Sequence, residues 1–488
     1  MPSSEIHPLD LAATDLSRKI HLSDISCVEV MQAALERIAS VNPAHNALVS
    51  LRTPEELLRE AQGLDDELAA GTSRGWLHGM PLAIKDLSQA KGLPCTWGSL
   101  IYKDHVSEQD DPHVARIRAA GAILIGKTNT PEMGLGSHTT NKVFGPARNA
   151  FDTSRSAGGS SGGAAVALSL GLVPVADGSD MMGSLRNPAA FNGIYGFRPS
   201  YGRIASPGSA DLYFSQLAST GPMGRTVRDM AALYETMAGY DGFDPLALDD
   251  EPPASDFQPS LGDGVTIGWM GDLGGYLPME NGVLETCSCS LEIMRGMGCA
   301  VEDVVPDFDF ADLWFSWTTL RSFSTHFNLG PLSADPEKRQ LLGAQALWEV
   351  ENRSKLSVDD LERATRIRSR WFEYLARLYE KFDYLVLPSA QVFAFDVDTA
   401  WPTEIAGRTM DTYHRWMEVV IGPSLAGLPV AALPSGLGSN GLPHGVQLIG
   451  KARSDRSTLA FAAAYERAIL AAGVPGVQGK VPLSGGAR

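Results

Sequence analysis

One stretch of this sequence is unusually rich in glycine. Eleven of the chain's 50 glycines fall between Gly145 and Gly202, nearly twice the density of the whole 488 residues. Glycine is used where the backbone must take conformations that a Cβ forbids, or where two pieces of chain approach closely. The apolar parts of the stretch are short. Residues 162–171 are Ala-rich and read as a helix, and VPVAD at 173–177 reads as a buried strand. The same alternation runs through the chain. Short apolar runs stand at 80–84 (MPLAI), 122–126 (AILIG), 264–271 (GVTIGWMG), 383–388 (DYLVLP), 429–434 (PVAALP) and 445–450 (GVQLIG). Between them lie stretches of helical periodicity at 27–41, with Ser26 as a cap, at 55–70, 112–120, up to about 297, and at 359–382. Short strands separated by helices predict an α/β architecture.

Length alone suggests about three domains. The pattern argues for fewer: residues 1–75 form an N-terminal helical segment packed on the core, and 76–488 a single α/β domain. An Asp/Pro-rich loop or linker is expected near 240–263 and a helical excursion near 310–382. The 40 Lys+Arg against 57 Asp+Glu give a net charge of −17. That excludes a general nucleic-acid binder, which needs a basic face to displace counterions, and disfavours docking on anionic membranes. The five cysteines, Cys27, Cys95, Cys287, Cys289 and Cys299, contain no C-x-x-C pair. With no disulfide framework expected, the compartment reads as reducing. No stretch reaches the roughly 20 apolar residues of a membrane helix. The opening residues lack the basic-then-apolar pattern of a secretion signal. The expected location is the cytoplasm.

Four catalytic signatures compete. Residues 121–128 (GAILIGKT) match the phosphate-binding loop letter for letter. Such a loop follows a strand, however, whereas the variable residues here look like the strand itself. Ser88 and Lys91 match S-x-x-K, but Gly92 follows at once and no supporting helix is evident. Residues 158–162 (GGSSG) satisfy G-x-S-x-G, yet a polar loop precedes them where a hydrolase elbow needs a strand. His326, His414 and His444 lie downstream, so composition alone leaves a histidine triad open.

The fourth signature is long and absorbs the glycine cluster. It runs over residues 158–200 as GGSSGG at 158–163, G-S-D-x-x-G-S at 178–184, R-x-P-A at 186–189 and G-x-x-G-F-R-P at 193–199. With GMPLAIKD at 79–86 and GLPHGVQLIG at 441–450, it resembles the amidase signature family of Ser-Ser-Lys hydrolases. That family includes fatty acid amide hydrolase and the A subunit of glutaminyl-tRNA amidotransferase. The resemblance spans residues 25–470. It implies a large twisted mixed β-sheet covered by helices on both faces, a small-molecule amide as substrate, and a homodimer.

By the same resemblance Ser184 is the nucleophile, Ser160 the bridging serine after a cis peptide bond, and Lys85 the base. The roles make chemical sense. A serine hydroxyl is a poor nucleophile until a base takes its proton. No histidine lies in the signature segment. A lysine serves only when neutral, which burial favours, and Lys85 follows an apolar run. The backbone N–H groups of Met181, Met182, Gly183 and Ser184 are the implied oxyanion donors. Met182 departs from the family, where glycine stands. A methionine there implies a negative φ or a reshaped loop. Asp180 and Arg186 are expected to pair beneath that loop, against the alternative of a solvent-facing Arg186. Thr128 and Asn129 read as loop holders, and His138 either approaches the site or is structural.

No cofactor and no metal are expected, because no His/Asp/Glu cluster has ligand spacing. Trp314, Trp317, Phe323, Phe393 and Trp401, with Met181 and Met182, are candidates for an apolar pocket; ordinary core packing is the alternative for the tryptophans. The expected activity is hydrolysis of a bulky or aromatic amide. The alternatives are a glutamine-dependent amidotransferase component, esterase or aryl acylamidase activity of the same fold, and a non-catalytic homologue. The presence of all three of Lys85, Ser160 and Ser184 disfavours the last.

Overall fold

The computed structural model describes residues 6–206, 211–248 and 263–480. Among the described residues thirteen strands lie in chain order at β1 Leu48–Val49, β2 Pro81–Lys85, β3 Ile123–Thr128, β4 Val175–Asp180, β5 Tyr195–Arg198, β6 Ser219–Gly224, β7 Thr266–Trp269, β8 Ala300–Asp303, β9 Tyr384–Pro388, β10 Glu404–Ile405, β11 Arg408–Thr409, β12 Val430–Leu437 and β13 Pro443–Ile449. Eight of them form one sheet in the order β4-β6-β5-β12-β13-β9-β7-β8. The sheet is mixed. It is antiparallel from β4 across to β9 and parallel where β7 meets β8 and β9. Strands β9, β12 and β13 are buried nearly along their whole length, which is why they read as continuous apolar runs instead of alternating ones.

The two apolar runs at 80–84 and 122–126 do not join this sheet. They pair in parallel as β2 and β3 in a three-stranded sheet closed by β1. Residues 121–128 are therefore the entry into strand β3, not a loop around a phosphate. β2 also extends one residue further than the apolar run, so Lys85 ends the strand.

The N-terminal segment is helical at Ala13–His21, Cys27–His45 and Pro54–Ala69, apart from the short β1. The second of these starts at Ser26, whose side chain caps the N–H of Glu29 while Glu29 caps Ser26 in return. The excursion at 310–382 comprises the helices Phe310–Ala334, Pro336–Leu341, Ala344–Arg353 and Val358–Leu378. Of the loop expected at 240–263, residues 240–248 contain turns and no regular element, and 249–262 lie outside the described residues. One apolar core runs from Leu9 in the N-terminal segment to Ile469 in the last helix. Among the described residues, no helix is long and apolar enough to cross a membrane.

The signature glycines let this architecture close around its centre. A Cβ on Gly163 would lie 2.3 Å from the Asn129 nitrogen and 2.5 Å from the Ala47 oxygen. Those distances are shorter than any side chain tolerates, so the helix Gly162–Ser169 can approach β3 only with glycine at that position.

Candidate active site

Lys85 is placed by β2 with its whole side chain buried. Its Nζ lies 2.8 Å from Ser160 Oγ, 2.8 Å from Ser161 Oγ and 3.1 Å from Ser179 Oγ, with the Ser179 carbonyl oxygen at 3.3 Å. An amine stripped of water disfavours its charged form. Burial accordingly lowers the Lys85 pKa to about 7, although the nearby carboxylates of Asp177 and Asp180 pull it upward. Asp177 also accepts the Lys85 backbone N–H at 2.8 Å and faces His113 at 3.4 Å. Sequence reasoning misses Ser161 and Ser179 as neighbours of the amine. The signal for Ser161 is the doubled serine of GGSSGG, in which the resemblance gives a role only to the first.

Ser160 follows a cis peptide bond from Gly159. Ser160 and Ser184 line the same cavity. The Ser184 hydroxyl has no hydrogen-bond partner among the described residues, and its carbonyl accepts from the Ser161 N–H at 3.3 Å. Lys85, Ser160 and Ser184, from three separate segments, thus converge on one site.

The loop 180–186 is organised by Asp180. Its Oδ1 accepts the Gly183 N–H at 2.8 Å and its Oδ2 the Leu185 N–H at 3.0 Å. This bears on one expected oxyanion donor: the Gly183 N–H is already spent on the Asp180 carboxylate. The N–H groups of Met181, Met182 and Ser184 have no acceptor among the described residues. Gly183 itself has φ +82, where a side chain would be strained, and Met182 is absent from the residues with positive φ. The loop therefore tolerates methionine at 182 because the left-handed turn falls one residue later.

Asp180 is fixed from behind. Arg186 donates Nε to Asp180 Oδ2 at 2.9 Å and Nη2 to Oδ1 at 2.8 Å. Its remaining N–H groups reach the Val420 oxygen at 2.9 Å, Gln447 Oε1 at 2.7 Å and Ser424 Oγ at 2.7 Å. All five guanidinium donors are used. Arg186 is fully buried, so the solvent-facing alternative fails. Arg198 donates to the Asp180 carbonyl as well. Burial alone would raise the Asp180 pKa, but the charges of Arg186 and Arg198 and the hydrogen bonds outweigh it. They hold the carboxyl well below the usual range.

The cavity holds about 160 Å³ and has mostly apolar walls, including Leu87, Met133, Leu135, Met182 and Met417. It shares Met133, Leu135, Met181, Ala218 and Thr325 with an adjoining chamber of about 500 Å³ that includes Trp97, Tyr102 and Phe327. None of the five expected pocket aromatics lines the cavity beside the serines. Trp314 packs on His414, at a ring separation of 5.2 Å, and beneath the Arg415 guanidinium. Trp317 is fully buried in the core. Phe323 meets Phe214 and Phe327, and Phe393 meets His444. Trp401 lines another chamber of about 460 Å³, with His138 and Tyr413, that shares Leu135, Gly136 and Ser137 with the cavity. The helix Phe310–Ala334 reaches the cavity only at Arg321 and Thr325, one and two turns beyond Trp317.

His138 is structural here. It is buried, with its ring nitrogens 2.8 Å from Ser156 Oγ and 2.9 Å from the Val397 oxygen. Asn129 holds loops, donating to the carbonyls of Asn46 and Gly145 at 3.0 and 3.3 Å. Thr128 does so only through its backbone, because its buried hydroxyl has no hydrogen-bond partner.

A buried lysine resting on serine hydroxyls, beside a further serine on a carboxylate-braced loop, belongs to hydrolytic enzymes that activate serine without histidine. The family model described as Amidase matches residues 29–459. The chain belongs to the amidase signature family and is an amide-hydrolysing enzyme of that class. It is 34% identical over 483 residues to the glutamyl-tRNA(Gln) amidotransferase A subunit of Symbiobacterium thermophilum, covering 94% of this chain and 96% of that protein. It is 31% identical over 462 residues to an acylamidase of Rhodococcus erythropolis, covering 93% and 95%. The crystal structure of a bacterial aryl acylamidase superposes with a TM-score of 0.88 at 26% identity, covering 98% of this chain and 99% of that one.

Proposed function

We propose that this chain hydrolyses a bulky or aromatic amide through an acyl-enzyme, with Ser184 as nucleophile, Ser160 as proton bridge and Lys85 as base. The observation that carries the reading is the Lys85 amine, buried to a pKa of about 7 and held 2.8 Å from the Ser160 hydroxyl. Neutral Lys85 takes the proton of Ser160 as Ser160 takes that of Ser184. Ser184 Oγ then bonds to the amide carbon, and the carbonyl electron pair moves onto oxygen. The N–H groups of Met181, Met182 and Ser184 are the donors available to that oxyanion. As the intermediate collapses the C–N bond breaks, and the leaving amine receives the proton returned by Lys85 through Ser160. Water enters by the same path and releases the acid from Ser184.

A fluorophosphonate probe followed by peptide mass mapping is expected to label Ser184. Labelling at Ser160 in its place would revive the G-x-S-x-G elbow and overturn this assignment. The adjoining chamber, of about 500 Å³ with Trp97, Tyr102 and Phe327 among its walls, supports a large substrate by its size. Amides carrying a phenyl ring or a long chain are therefore expected to exceed acetamide in kcat/KM by at least about tenfold, since each buried methylene is worth about 0.8 kcal/mol. Equal efficiency on acetamide and a phenyl amide would refute the size preference.

The identity to an amidotransferase component favours a second reading, in which the chain releases ammonia from glutamine for a partner. Turnover of aryl amides by the purified chain without glutaminase activity separates the two. The homodimer, supported by the family resemblance, and the cytoplasmic location, supported by five cysteines that form no disulfide, belong to the same proposal.

A further inference from the structure

Arg321 is the one ionisable side chain among the described residues that line the cavity beside Ser160 and Ser184. It is buried, and it is anchored from behind. Nε donates to Glu349 Oε1 at 2.7 Å, and Nη2 to the Tyr413 hydroxyl at 2.9 Å. Glu349 is itself held by the hydroxyls of Tyr413 and Ser322, each at 2.6 Å. The guanidinium plane is therefore set before any ligand arrives. Its third edge is poorly served. Nη1 points at the Met181 thioether at 3.1 Å, a weak acceptor. A guanidinium has five N–H donors. Three have partners, and the other two have no acceptor among the described residues. Buried donors without acceptors are costly and mark a place where a ligand can supply one.

We propose that Arg321 determines specificity by binding a second carbonyl oxygen of the substrate, so that the preferred amide carries an uncharged acceptor close to its scissile bond. The inference rests on the reading that Ser184 is the nucleophile of this cavity. Charge selects the uncharged acceptor over a carboxylate. Glu349 already balances the guanidinium at 2.7 Å, so an incoming carboxylate would stand as a net anion among largely apolar walls. A neutral carbonyl takes the two free donors without adding a charge. Thr325, one turn further along the same helix, lines the cavity beside it and gives the substrate a second polar edge.

Three p-nitroanilides of matched acyl length test this. They are the pentanoyl anilide, with no second acceptor, the N-acetylglycyl anilide, with a neutral carbonyl, and the succinyl anilide, with a carboxylate. The N-acetylglycyl anilide is expected to exceed both others in kcat/KM by at least roughly tenfold, the scale of a hydrogen bond to a charged group. Removing Arg321 alone would strand Glu349. The variant is therefore the pair Arg321→Gln with Glu349→Gln, checked for folding by its thermal melt, and in it that ratio is expected to fall toward one. A wild-type ratio near one, a ratio that survives in the paired variant, or a preference for the succinyl anilide overturns the proposal while Ser184 still labels with fluorophosphonate. If Ser184 fails to label and none of the anilides turns over, it is the nucleophile assignment that falls first.

Discussion

Replacing Lys85 by methionine is expected to lower kcat/KM for an amide by about 10²–10⁴-fold, the usual worth of a positioned proton acceptor. Methionine keeps most of the buried volume and removes the amine. The loss should fall on acylation, where the Ser184 proton must leave, so the rate of fluorophosphonate labelling should drop in parallel. The pH dependence follows from the same group. A pKa lowered to about 7 means that the neutral form gains on the ammonium as pH rises through that value. Below it, kcat/KM of the native enzyme should climb about tenfold per pH unit, and above it should level off. Asp177 sets part of this position, since its carboxylate favours the ammonium form. Asp177→Asn keeps an oxygen for the Lys85 N–H and removes the charge, so the rising limb should move to lower pH. The groups facing Asp177 are Lys85, His113 and Asp111, with Lys127 and Asp86 in the adjoining strand and turn. Near-normal amide turnover by Lys85→Met would refute the proton path outright.

Sequence and structure agree where chemistry and periodicity coincide, and diverge where geometry decides between neighbours. The three groups brought together from β2, from residues 159–160 and from residue 184 were legible through the family resemblance, whose anchored pieces give each of them a role. The burial that tunes Lys85 was legible too, since MPLAI has no polar residue to carry it toward solvent. The fate of the Gly183 N–H was not. Asp180 and its neighbours are visible as letters, but which N–H a carboxylate takes depends on the turn it closes, here one with φ +82. The pocket aromatics failed for a related reason. A helical stripe tells which residues share a face and not which turn faces a cavity, so Trp314 and Trp317 went into packing while Arg321 and Thr325 reached the serines. The one available signal for Arg321 was a lone cation within an apolar helical stretch. Its buried counter-ion, Glu349, lies on the helix Ala344–Arg353, a pairing that spacing does not reveal.

Arg186→Met is expected to destabilise the fold by about 3–5 kcal/mol, the cost of taking the bidentate partner from a buried carboxylate, with the Arg198 guanidinium still 3.7 Å from Asp180 Oδ1. Asp180 would keep the Gly183 and Leu185 N–H groups but lose both guanidinium bonds, and the Val420 carbonyl, Ser424 and Gln447 would lose a shared donor. The sign with pH distinguishes a charge effect from a packing effect. Asp180 has its pKa depressed in the folded state, so its pairing contributes stability above the unfolded value near 3.9, and that contribution is lost as pH falls toward the folded value. Without Arg186, the charge of Arg198 and the Leu185 N–H oppose burial less completely, so the carboxyl pKa rises and it takes a proton more readily. The stability gap between native and variant, read from denaturant unfolding, should therefore be widest near neutral pH and narrow below about pH 4. Adding Asp180→Asn removes the stranded charge, so the double variant should recover part of the loss and the two changes should be non-additive by about 0.5–3 kcal/mol. Activity should not return with stability, because asparagine presents one acceptor oxygen where the loop uses two, and the N–H groups of Met181, Met182 and Ser184 depend on that loop for their aim. A gap that stays constant with pH, or a double variant no more stable than Arg186→Met alone, would mean that Arg186 acts by filling space and not by holding the Asp180 charge.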